Sequence, residues 1–167
     1  MGLSLKRLAA YWIDFMLVAS ILIAFQLLIY FITSGIPFKY LDRGYEIEIW
    51  VLLTMSLPTW LYFILFERFS QKTIGKRLLR LKVKNEEGTA IHFKQALLRT
   101  CIKLLPWELT HLMILVPDPW WSIEKPGNVF LIYIPNLIMF LYILVLFLNG
   151  GVKGVHDYLA RTQVSRS

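Results

Sequence analysis

Cysteine is almost absent from this sequence: Cys101 is the only one in 167 residues. A lone cysteine excludes an intramolecular disulfide and any cysteine-rich metal site. Charge is scarce too. Only 17% of residues are Asp, Glu, Lys or Arg, against about 25% in an ordinary soluble domain. Acids are the rarer sign, 11 against 18 Lys plus Arg. The sequence contains no G-x-S-x-G, H-E-x-x-H or Cys/His pair, so hydrolytic chemistry lacks a nucleophile or a metal to start from. Gly75-Lys76 resembles the end of a P-loop, but the upstream glycine and the strand-to-helix context are missing. The expectation is a protein that is not an enzyme and holds no cofactor and no metal.

Apolar residues take up the space. They make 57% of the chain, with 15% aromatic and a mean hydropathy of +0.57. They fall in long blocks at residues 11–32, 47–66, 100–116 and 129–148. The first block, at about 1.5 Å per residue, covers a hydrocarbon core of about 30 Å. Lys6 and Arg7 precede it as in a signal peptide, but it exceeds an h-region of about 7–15 residues and no A-x-A-like site follows. Pro58 and Pro135 lie inside the second and fourth blocks, where neighbouring helices can re-satisfy the freed carbonyls. The third block is short and contains Lys103, Pro106, Glu108 and His111.

Charge placement decides how the third block is read. If all four blocks span and the N-terminus is inside, the cytoplasmic side holds Lys6, Arg7, the ten basic residues from Arg68 to Lys103, Lys153, Arg161 and Arg166. That is 15 of 18, a strong positive-inside bias. Only Lys39, Arg43 and Lys125 stay outside. Tyr40, Tyr45, Trp50, Trp120 and Trp121 suit an outer interfacial belt. The net charge of +7 has too little soluble chain around it to make a nucleic-acid surface. The fold class expected is an all-α membrane protein, a bundle of about four transmembrane helices in one domain over 1–167.

Between the second and third blocks, residues 67–99 form a cytoplasmic segment. Residues 79–84 read Leu-Arg-Leu-Lys-Val-Lys, the period-2 signal of a half-buried strand. Residues 85–88 give a turn, and Ile91 and Phe93 alternate after it, so a small β-hairpin is predicted. Thr162, Gln163 and Val164 offer a third strand. Lys72, Lys76, Arg77, Arg80, Lys82 and Lys84 have two readings. They form a solvated positive-inside loop, or they hold the segment against anionic lipid at about 1 kcal/mol each.

Ionisable groups inside a membrane mark function by default. Asp14 lies about one turn inside the first block, at a cost that reaches about 2.5–3.5 kcal/mol at a helix centre. Arg99 and Lys103, at i and i+4, are its expected partners. Asp157 returns to the same layer after the fourth block. Arg7, Asp14, Arg99, Lys103 and Asp157 are thus expected to converge, as helix-fixing ion pairs or as a proton or cation relay. Glu108 and His111 make one Glu-x-x-His pair. A di-iron bundle needs two such pairs plus further glutamates, so this pair is expected to line the bundle.

These motifs together resemble the RDD family of bacterial membrane proteins, named for an arginine and two aspartates. The resemblance rests on Lys6-Arg7-Leu8-Ala9-Ala10 with Ile13-Asp14, on the run from Gln71 to Leu79 continuing into Leu81-Lys82-Val83, on Arg99, and on the run from His156 to Thr162. The hallmark residues map to Arg7, Asp14 and Asp157. The resemblance implies a location in the bacterial inner membrane. It also implies exchange of sodium or potassium for protons, which has been proposed for some members. Four helices make a thin pathway, so transport implies a homo-oligomer or another membrane protein as partner. The alternative is a non-transporting module that binds a protein or anionic lipid through its basic cytoplasmic face.

Overall fold

In the computed structural model of the chain, residues 2–115 and 129–167 are described, and most are helical. Helix α1 runs Leu3–Ile32 and helix α2 runs Gly44–Ser70. A short helix α3, Ile74–Leu78, leads into strand β1, Leu81–Asn85. Helix α4 is Phe93–Leu115, helix α5 is Tyr133–Leu148, helix α6 is Val155–Ala160, and strand β2 is Thr162–Arg166.

Two of these helices, α1 with 30 residues and α2 with 27, are long and apolar enough to cross a bilayer. They contain the expected spans at 11–32 and 47–66. The expected spans at 100–116 and 129–148 fall on α4 and α5. Helix α4 has 23 residues but carries several charges. Helix α5 is wholly apolar but for Asn136, over only 16 residues. Residue 116 and the outer connector 117–128, with Trp120, Trp121 and Lys125, lie outside the described residues.

Proline shapes α2. Pro58 lacks an N–H, and its ring collides with the carbonyl one turn earlier. The helix widens over Leu52–Ser56 into a π segment, after which the Leu57 N–H bonds back to Leu52. The extra residue relieves the clash. A second π segment, Phe66–Ser70, rotates Glu67 into the interior, where it is fully buried. The helix then stops at Gln71, in the left-handed conformation with φ 57°.

Helix α1 is exposed over most of its surface, as a lipid-facing helix would be. Its buried residues are Ser4, Arg7, Ala10, Asp14 and Val18, a stripe at helical spacing. Two glycines let other elements approach this stripe. A Cβ on Gly75 would sit 2.2 Å from the Ala10 carbonyl oxygen, and one on Gly151 would sit 2.3 Å from the Ser4 nitrogen. Gly151 also adopts φ +84°, a region open to glycine.

The small sheet corrects the expected hairpin. β1 does alternate, with Leu81, Val83 and Asn85 buried. Its partner, though, is β2, antiparallel, with Val83 opposite Val164 and Asn85 opposite Thr162. The predicted second strand at 89–93 does not form. Thr89 closes a turn back onto Asn85 through its carbonyl, its N–H and its hydroxyl. The His92 N–H is then capped by the Gln95 side chain at 3.0 Å, and α4 starts at Phe93. Ile91 is buried while Phe93 is 54% exposed, so the two do not share a face. Ala10, Ile64, Leu81, Val83, Ile91, Ala96 and Val164 form one apolar cluster. It welds the sheet to the ends of α1, α2 and α4.

Candidate functional site

Beside that cluster lies a buried network of charges. Arg7 projects from the α1 stripe. Its Nη1 donates to the carbonyls of Gly151 and Val152, both at 3.0 Å, just past the C-terminus of α5, where the helix dipole favours a cation. Its Nη2 lies 2.5 Å from Asp157 Oδ2. Asp157 sits in the first turn of α6 and also accepts the Gly154 N–H at 2.8 Å. Its second oxygen, Oδ1, accepts from Arg99 Nη1 and from the Thr162 hydroxyl at 3.2 Å. Arg99 Nε reaches Glu67 Oε2 at 3.0 Å. Glu67 Oε1 takes Lys76 Nζ at 2.5 Å and Lys103 Nζ at 3.1 Å. Lys103 also stands 3.6 Å over the Phe63 ring, a cation–π geometry. The chain of contacts runs Arg7–Asp157–Arg99–Glu67–Lys76/Lys103 and ties α1, α2, α3, α4 and α6 together.

Four of the five residues expected to converge therefore do so: Arg7, Arg99, Lys103 and Asp157. Asp14 does not pair with a cation. It is 1% exposed, and its carboxylate accepts from three uncharged donors instead. Tyr62 Oη is 2.6 Å from Oδ1, the Gly75 N–H is 2.7 Å from the same oxygen, and Thr73 Oγ1 is 2.5 Å from Oδ2. The close approach at Gly75 turns the start of α3 towards Asp14, so a helix N-terminus rather than Arg99 or Lys103 satisfies it. Lys76 is the second correction. Its place in the basic run suggests a lipid-facing residue, but it is 8% exposed and turns inward to Glu67. Arg77 and Arg80 are exposed, and Lys72, Lys82 and Lys84 are half-buried. Glu67, the hub on the anionic side, gave no local signal beyond being an acid where an apolar block meets a basic run.

Glu108 and His111 form a separate polar cluster with Glu48, Ser56 and Trp60. His111 lies 3.0 Å from Glu108 and 2.9 Å from Glu48. Ser56 Oγ and Trp60 Nε1 donate to Glu108 at 3.0 and 2.7 Å. Glu48, an acid within the apolar block 47–66, is 4% exposed. Among the described residues, no group of three or more His, Cys, Asp and Glu side chains is arranged to hold a metal ion.

Electrostatics in α6 are one-sided. Burial alone would push the Asp157 carboxyl up, but Arg99, His156 and Arg7 hold it well below the usual carboxylate range. Burial pushes His156 down to about 3, and the cations Arg99, Arg7 and Lys103 act the same way, against Asp157. An unfolded histidine titrates near about 6.5. Between those values the unfolded chain binds a proton that the folded chain refuses, so stability falls as pH drops below about 6.5. Moving from pH 7.5 to 5.5 is expected to cost about 1.4 kcal/mol through this residue. Asp157 stays ionised over that range in both states. Melting curves in detergent at the two pH values should differ less for His156→Gln than for the wild type; equal differences would assign the pH response elsewhere.

The fold and this site define a helical membrane-type protein whose first helix is tied, through an arginine and an aspartate, to a basic segment and a returning tail. The chain belongs to the RDD family, whose sequence model matches residues 2–161. No curated protein and no solved structure matches it.

Proposed function

We propose that the chain is a four-span module of the bacterial inner membrane, with both termini cytoplasmic, that works by binding rather than by moving ions through its hallmark aspartates. The observation that carries this reading is how those aspartates are held. A carboxylate that relays protons must exchange them with water. Asp157 is fully buried between two arginines, and Asp14 is buried with three donors on its two oxygens. Both suit a latch. The binding surface is the basic face formed by Lys72, Arg77, Arg80, Lys82 and Lys84, turned away from the apolar cluster. Its partner is a protein or anionic lipid of the inner leaflet, and nucleic acid is not expected.

Two experiments bear on this. Reporter fusions at Gly88 and Ser167 should both read cytoplasm and a fusion at Gly44 should read outside, from the 15-to-3 bias. A Ser167 reporter outside would remove a span. Purified protein in liposomes should show no sodium, potassium or proton flux above empty liposomes. Flux driven by a pH gradient and abolished by Asp14→Asn and Asp157→Asn would overturn the binding reading.

A second reading keeps cation/proton exchange but moves it. Glu48, His111 and Glu108, with one histidine between two carboxylates inside the bundle, are a better proton site than the latched aspartates. On that reading flux survives Asp14→Asn and is lost in Glu48→Gln.

A further inference from the structure

A cavity of about 400 Å³ lies between α1 on one side and the α4–α5 pair on the other, within the range of about 300–1,000 Å³ typical of ligand sites. It exists because α1 packs chiefly on α3 and the π segment of α2, leaving a gap towards α4 and α5. Its ends differ. Towards one end the lining is aromatic and aliphatic, with Trp12, Trp107 and Met139 partly open to the surroundings at 51%, 42% and 46% exposure. At the other end Arg7, Lys76 and Lys103 of the charge network line it, together with Asp14 and His156.

The network is not neutral. Arg7, Lys76, Arg99 and Lys103 stand against two carboxylates, Glu67 and Asp157, while Asp14 alongside is satisfied by uncharged donors. Buried charge is costly unless paired. The ammonium groups of Lys76 and Lys103 each have three donors, and each makes one hydrogen bond, to Glu67. The cavity thus offers unused N–H donors on a wall with more cationic side chains than carboxylates, below an apolar mouth.

We infer that this cavity binds one anionic phospholipid, with its phosphodiester at Lys76 and Lys103 and an acyl chain along Trp12, Phe15 and Trp107. A phosphodiester is an anion whose oxygens accept the N–H donors that Lys76 and Lys103 leave unused. The inference rests on the bilayer-embedded reading, which puts the charged end at the inner headgroup layer and the aromatic mouth beside the acyl chains. A lipid of that leaflet then needs only to move sideways to enter. The site is distinct from the outward basic face formed by Arg77, Arg80, Lys82 and Lys84.

The test uses the full chain, delipidated in a neutral detergent and offered phosphatidylglycerol, phosphatidylcholine or inorganic phosphate, with retained lipid read by native mass spectrometry. Phosphatidylglycerol should be retained at one molecule per chain in preference to phosphatidylcholine. Lys103→Gln should weaken retention about fivefold. Because Lys103→Gln also touches the network, Met139→Trp provides a second arm: it fills the mouth without altering a charge and should also lower retention. Exposed Lys94→Gln should leave it unchanged. Equal retention of the two lipids, wild-type retention by Met139→Trp, or full competition by inorganic phosphate would each overturn the lipid site. The reporter fusions above are read independently, so a failed topology and a failed lipid site give different results.

Discussion

Arg99→Leu is expected to lower stability more than any other single substitution in this chain. Arg99 is 1% exposed and, among the described residues, is the one that touches both anions of the network, Glu67 and Asp157. Removing it leaves each carboxylate short of a partner in the interior, and the Thr162 hydroxyl loses its contact with the guanidinium. Breaking a buried ion pair typically costs about 3–5 kcal/mol, and here one change breaks two. Thermal unfolding in detergent measures the effect, with Arg80→Leu on the exposed face as reference, where a surface change should stay within about 0.5 kcal/mol. Adding Glu67→Gln to the Arg99 variant should cost less than the two changes summed, because contacting residues do not add. An Arg99→Leu melting point equal to that of Arg80→Leu would mean that the network contributes nothing to the fold.

Asp14 gives the second-largest expected loss, for a different reason. Its partners are uncharged, so Asp14→Leu leaves no cation behind, but it strands Tyr62 Oη, Thr73 Oγ1 and the Gly75 N–H. Each buried donor without an acceptor costs about 1–3 kcal/mol. Leucine is also branched beside Gly75, whose backbone nitrogen already lies 2.7 Å from Asp14 Oδ1. Asp14→Asn should recover part of the loss, since its oxygen still accepts and the Thr73 hydroxyl can turn to accept from the amide. The expected order of melting temperatures is wild type, Asp14→Asn, Asp14→Leu, with Asp42→Leu, an exposed residue before α2, close to wild type. Asp14→Leu melting with Asp42→Leu would remove Asp14 from the latch.

Much of this architecture was legible in the residues. The α1 stripe could be read because Arg7 and Asp14 are seven apart on a helix with no other charge after Lys6, and burying one face was the only way to hide both. β1 was legible from strict alternation. Its partner was not: a local turn at 85–88 and an alternating run after it imitate a hairpin, whereas the real pairing joins segments far apart, which periodicity cannot see. Asp14 was misassigned because formal charge suggested a cation. The acceptor is satisfied by a backbone N–H and two hydroxyls, groups that composition does not flag. Lys76 was read with its basic neighbours, yet a glycine one position earlier brings that turn against α1 and sends the lysine inward. The inward turn of Glu67 depends on a π segment, and no sequence pattern announced that extra residue.

The Arg7–Asp157 contact joins residues 150 positions apart, and that distance sets an order of events. Asp157 comes after α5 in the chain. Until the chain has been made past α5, Arg7 and Arg99 have no Asp157 to meet and β1 is an open edge. α6 and β2 therefore close the charge network and the sheet together.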